Sequence, residues 1–179
     1  MFGIIDFGDF AFRGFIFGYS EEERLLQTYN EHFSNKDYCE AIKVLGQIIS
    51  ILPNKHKYYS YRAGLREEIR DIEGAINDYT SAIDLSKENN EKQEYLVERG
   101  LVKENHQVIK DAIDDYTSAI NMSDGFYKLE NFVIRGKAKL RVKDKLSAFE
   151  DFIDSINLIT EEYCNLYEFE FDDKFSDHI

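Results

Sequence analysis

The sequence predicts an all-α solenoid of four helix pairs, and three observations predict it. A small residue followed by Ile or Phe recurs inside amphipathic runs at Ala41-Ile42, Ala75-Ile76, Ala112-Ile113 and Ala148-Phe149, at intervals of 34, 37 and 36 residues. The text around these anchors repeats almost word for word. Residues 74–85 read GAINDYTSAIDL, 111–122 read DAIDDYTSAINM and 147–158 read SAFEDFIDSINL, while 40–51, EAIKVLGQIISI, is a more diverged copy. A fixed period of this length marks units that bury their apolar faces only by stacking on neighbours. Finally, Pro53 is the single proline, and Glu, Lys, Ala, Ile and Leu dominate the central region, which favours helix over strand.

Each anchor is preceded by a second helical run. Arg62-Ala63-Gly64, Arg99-Gly100 and Arg135-Gly136 place an arginine and then a small residue at the same distance before the anchor. Small residues let two helices approach closely. Tyr79, Tyr116 and Phe152, four residues after each anchor alanine, supply the rings that fill the space between them. The arginines are each followed sixteen residues later by Asp78, Asp115 and Asp151, and the first copy has Thr28 and Val44 at these positions. Both partners are absent together there, which predicts structural ion pairs Arg62–Asp78, Arg99–Asp115 and Arg135–Asp151 between the two helices of each later unit. Half-buried pairs of this kind contribute specificity more than stability.

The pattern resembles the tetratricopeptide repeat (TPR) family over about residues 21–162. The small residue of the first helix, the Ala of the second, the aromatic four residues on and the small Ala82, Ala119 or Ser155 stand in the family's register. Pro53 stands where the family often ends its second helix. The resemblance implies a right-handed superhelical solenoid whose concave face is formed mainly by first helices. The chain then divides into an aromatic N-terminal segment (1–19), a TPR-like domain (20–162) and an acidic aromatic tail (163–179). The repeats run about 21–55, 56–92, 93–127 and 128–162. Departures from the pattern are Tyr29 at a small-residue position, Lys145 at an apolar one, and insertions at 87–92 and 123–127 that are expected to lengthen two connections.

Ser20-Glu-Glu-Glu23 is a capping box that starts the first repeat helix. Before it, Asp9–Phe17 alternates apolar and other residues about Arg13-Gly14, as in a small β-hairpin with a two-residue turn. Tyr167-Glu-Phe-Glu-Phe171 also alternates, ahead of an acidic end. Three roles compete for these aromatic ends: capping the solenoid's open edges, pairing with another copy, or lying in a groove as a peptide.

A net charge of −13 with no arginine-rich block excludes nucleic acid and anionic membrane as partners, since both are met by Lys and Arg. A protein or peptide of basic character fits better. No apolar run is long enough to span a bilayer, and Met1–Tyr19 carries Asp6 and Asp9 without a basic start, unlike a signal peptide. Cys39 and Cys164 read as reduced, semi-buried thiols of a cytoplasmic protein. His32, His56, His106 and His178 are scattered without metal-ligand spacing, and neither a phosphate-cradling loop nor a nucleophile turn occurs. The expectation is a non-enzyme without metal or cofactor.

The family register implies groove positions at Leu26, Asn30 and Phe33 in the first copy and at Lys57, Tyr61 and Gly64 in the second. The third contributes Glu94, Glu98, Leu101 and Asn105, and the fourth Val133, Lys137 and Arg141. Relatives that grip chaperone C-terminal carboxylates use lysine and asparagine there. Here Asn30 fits, but Leu26 and Glu98 stand where basic residues would be, which disfavours that ligand. The reading is a cytoplasmic adaptor holding a protein or peptide in its concave face. Its alternatives are a dedicated chaperone or immunity-type inhibitor masking a basic partner, and a structural homo-oligomer formed through the terminal segments.

Overall fold

The computed structural model describes the backbone of residues 19–175 and the side chains of residues 19–160. Among the described residues there are eight α-helices: α1 Glu21–Ser34, α2 Tyr38–Ile51, α3 His56–Glu68, α4 Ile72–Leu85, α5 Asn89–Asn105, α6 Ile109–Met122, α7 Gly125–Arg141 and α8 Lys145–Phe175. Every substantial helix–helix contact is between consecutive helices, which is the contact pattern of a solenoid. The hairpin expected at Asp9–Phe17 lies outside the described residues.

The four turns inside the repeats share one geometry. Lys36, Arg70, Gln107 and Lys143 each adopt a left-handed backbone, with φ between 59° and 69°. The following amide of Asp37, Asp71, Val108 and Asp144 donates back to the carbonyl of His32, Arg66, Lys103 and Lys139 at 2.8–3.0 Å. This six-to-one bond is the Schellman ending of a helix, which reverses the chain and starts the partner helix at once. At the start of α1, Ser20 Oγ accepts from the Glu23 amide at 3.2 Å and the Glu23 carboxylate accepts from the Ser20 amide at 2.6 Å.

Small residues set the distance between paired helices. A methyl group on Gly100 would lie 2.5 Å from the Tyr116 ring, and one on Gly136 would lie 2.7 Å from the Phe152 ring. The first repeat reverses this assignment: Tyr29 on α1 is fully buried against α2, whose Leu45 stands at the ring position. The ring moves to the first helix, and Leu45 takes its place on the second.

The buried aspartates gather charge. Arg62 donates to both Asp78 carboxylate oxygens at 2.7 Å, and Arg66 Nη1 adds a third contact at 2.8 Å. Arg99 and Lys103 hold Asp115 in the same way, and Arg135 and Lys139 hold Asp151. The second cation lies one helical turn beyond the first and was not foreseen from the sequence spacing. Arg99 Nη1 also donates to Thr80 Oγ1 at 2.8 Å, and Arg135 Nη1 to Thr117 Oγ1 at 3.0 Å. Arg99 and Arg135 therefore each tie their own helix pair to the preceding repeat.

Three expectations need correction. The extra residues at 87–92 and 123–127 do not lengthen the connections, which span only 86–88 and 123–124. They add a turn to α5 and α7, both 17 residues long against 14 and 13 for α1 and α3. The alternating residues 167–171 lie within the continuous helix α8, so the boundary at 163 falls inside a helix. No Gly or Pro occurs between Lys145 and Phe175, and propagating an established helix is easier than nucleating a new element. Cys39 is exposed at the first turn of α2 rather than semi-buried.

Candidate functional site

The first helices α1, α3, α5 and α7 line two neighbouring pockets. The pocket of about 360 Å³ is bordered by Glu22 of α1, Lys55 before α3, His56, Lys57, Tyr58 and Tyr61 of α3, and Glu91 of α5. Its polar groups are largely engaged with one another. The Tyr58 hydroxyl donates to Glu22, and His56 contacts the Tyr95 hydroxyl through Nδ1 at 2.9 Å and Glu91 through Nε2 at 3.2 Å. Ser86 Oγ donates to the same Glu91 carboxylate at 2.8 Å. Tyr61 lies edge-on to Tyr58 with ring centroids 6.4 Å apart. Burial and the hydrogen bond to Glu22 push the Tyr58 hydroxyl well above the ordinary tyrosine range, so it remains a donor.

The second pocket, about 390 Å³, lies between α5 and α7 and is lined by Asn90, Glu91, Gln93, Glu94, Val97, Glu98, Tyr127, Glu130, Asn131 and Ile134. Glu94, Glu98 and Glu130 make no ion pair with any lysine or arginine among the described residues. Burial, with the neighbouring Glu94 and Glu67 carboxylates, raises the Glu98 carboxyl above the ordinary glutamate value. Glu98 is half-buried while Glu94 and Glu130 are exposed, and neighbouring ionised carboxylates favour a cation that approaches them.

The residues placed in the groove by family register divide into two sets. Lys57 and Tyr61 border one pocket, and Glu94 and Glu98 border the other. Leu26 is 2 % exposed and belongs to the core with Tyr29, Val44, Leu45 and Ile48, so its side chain is not available to a ligand. Phe33 stacks on Tyr29 at 5.8 Å, and Asn30 is buried. Asn105 donates to Glu67 at 3.3 Å, and Arg141 pairs with Glu104 at 2.7 Å, joining α7 to α5. Lys137 is exposed and borders neither pocket. Sequence reasoning missed Tyr58, His56, Glu91, Tyr127 and Glu130. Glu130 stands at the position of Glu94 one repeat on, so the spacing of the repeats carries the signal that could have found it.

Among the described residues no group of three His, Cys, Asp or Glu side chains could hold a metal ion, and no helix is long and apolar enough to cross a membrane. The chain matches no protein-family model, and no curated protein matches it by sequence. Solved structures do resemble it. MamA superposes with a TM-score of 0.66 at 19% identity, covering 80% of this chain and 81% of that one. MamA residues 41 to the end from Desulfovibrio magneticus RS-1 give 0.63 at 16% identity, covering 79% and 77%. The TPR2B domain of yeast Sti1, solved as a complex with pHsp70, gives 0.51 at 18% identity, covering 72% of this chain and 96% of that domain. The fold is the TPR solenoid. Both pockets are lined mainly by the first helices of the repeats.

Proposed function

We propose that this TPR solenoid is a protein-interaction module whose concave face binds an extended peptide carrying basic and aromatic side chains. The observation that carries this reading is the α5–α7 pocket, where Glu94, Glu98 and Glu130 line a cleft without a cationic partner among the described residues. The buried Asp78, Asp115 and Asp151 are each held by two cations, whereas these three groove glutamates pair with no lysine or arginine among the described residues. An entering lysine or arginine would find charge-assisted acceptors in the half-buried Glu98 and the exposed Glu94 and Glu130. Val97, Ile134 and Tyr127 offer apolar surface beside them for an adjoining side chain.

A TPR relative of the fold is known with pHsp70, but the basic residues expected for a chaperone carboxylate are replaced here by the buried Leu26 and by Glu98. The ligand preference is therefore reversed in sign. Selection from a random peptide library on the immobilised full chain tests the reading. Recovered sequences should be enriched in Lys and Arg, and recovery should drop when Glu94, Glu98 and Glu130 are all changed to Gln. Recovery of acidic peptides, or of the same sequences by the triple variant, would overturn it.

The chain's charge of −13 also favours the second reading, a chaperone or immunity-type inhibitor that masks a basic protein by whole-surface attraction. Binding of that kind would fall steeply with salt and would be indifferent to the three groove glutamates.

A further inference from the structure

The last repeat breaks the chemistry of its own pattern on one face. Leu146, Phe149, Ile153 and Ile156 follow each other at spacings of three, four and three along α8, with exposures of 81, 64, 53 and 57 %. The matching face of α4 and α6 is where the next repeat docks. There Thr80 and Thr117 receive the arginine of the following repeat, and Ile76 and Ile113 are half-buried. In α8 the threonine position is Ile153, and the position of Glu73 and Lys110 is Leu146. The face has lost the polar acceptor for another repeat's arginine and gained two large apolar side chains. Its spacing is instead that of a coiled-coil seam.

We propose that two copies of this chain pair through this seam, with their α8 helices parallel. Charge supports the second copy as occupant. Taking Leu146 and Ile153 as the first core positions of successive heptads, Lys145 and Glu150 flank the seam at the two positions that meet across a parallel pair. Two-fold symmetry makes the Lys145–Glu150 contact twice, whereas antiparallel helices would bring neither charge opposite the other. Area supports it too. The exposed seam, with Ile159 at its edge, offers on the order of 600 Å² per copy, at the upper end of the largest apolar patches of ordinary monomers. That approaches the ~800 Å² per partner of a standard interface, before any contribution from the helix backbone running on to Phe175. The concave pockets lie on the first helices, so pairing through α8 leaves them open.

Sedimentation equilibrium of the full chain, up to its solubility limit, tests the pairing. The expected mass is twice 21.0 kDa. Ile153→Glu should return it to a single chain with unchanged far-ultraviolet circular dichroism, because the side chain is exposed. Ile153→Thr, which restores the residue of the other repeats, should weaken pairing without adding charge. Lys145→Glu and Glu150→Lys should each weaken pairing about fivefold, and the two together should restore it. A single-chain mass for the unaltered protein would overturn the proposal. So would a double mass that survives Ile153→Glu, which would assign pairing to another segment such as residues 1–18. Failure of the double charge reversal to restore pairing would contradict the parallel arrangement.

Discussion

In the first repeat the joint between paired helices is apolar: Tyr29, Val44, Leu45 and Ile48 pack together, and Thr28 turns its hydroxyl back to the Arg24 carbonyl. In the next three repeats the same joint holds an aspartate between two cations, beside a small residue and an aromatic ring. Both solutions exclude water, so the charges are not required simply to close a helix pair. What they add is reach. Arg99 and Arg135 extend past their own aspartates to Thr80 and Thr117 of the preceding repeat, and so fix how neighbouring units sit. Arg62 has only Gly46 at that place, 3.7 Å from its guanidinium as measured from an added methyl. Among the described residues no repeat precedes the first, which uses the apolar form.

The largest effect should come from breaking a charged joint on one side only. Asp115→Val leaves Arg99 and Lys103 facing an apolar wall and should cost about 3–5 kcal/mol in denaturant unfolding. Adding Arg99→Thr, which reproduces the Thr28 and Val44 of the first repeat, should recover most of that loss, because Lys103 can carry its charge out to solvent. If the double variant is no more stable than the single one, the two forms of the joint are not interchangeable and the comparison fails.

A smaller effect separates the second repeat from the third. Ala63 and Tyr79 coexist in one, whereas Gly100 lies too close to Tyr116 for a methyl group. Gly100→Ala should therefore lower stability by about 1–3 kcal/mol through overpacking. The better helix propensity of alanine, worth about 1 kcal/mol, would offset only part of this. A raised Tm for Gly100→Ala would show that the helix spacing is set by something other than the ring.

Much of this was legible in the sequence because the repeats act as internal copies of one another. The absence of both Arg and Asp from the first copy marked residues 62 and 78 as partners before any distance was known. The second cation was harder to see, because Arg66, Lys103 and Lys139 look like ordinary charges on a helix surface. The turns were hidden for a different reason. Lys36, Arg70, Gln107 and Lys143 occupy the left-handed position where glycine is usual, so no glycine marked the helix ends. Of the register positions, Lys57, Tyr61, Glu94 and Glu98 border the pockets, whereas Leu26 is buried in the core. The large Tyr29 in the first copy couples that helix into its core, and position alone does not reveal such coupling. The alternation at 167–171 did not mark the continuation of helix α8, because a pattern of period two does not show a helical face.

Recognition of a basic peptide by the glutamates of the α5–α7 pocket is the proposal on which the function rests. Its most direct measurement is the affinity of one selected Lys- or Arg-bearing peptide, by calorimetry across pH, for the unaltered chain and for Glu98→Gln. Because burial raises the Glu98 carboxyl, its charge is lost at a higher pH than that of an ordinary glutamate. Affinity should therefore begin to fall while the other carboxylates are still ionised. Glu98→Gln should bind about tenfold more weakly at neutral pH, as expected for loss of a charge-assisted contact, and should lack that early fall. Equal affinities and superimposable pH profiles for the two proteins would contradict the claim.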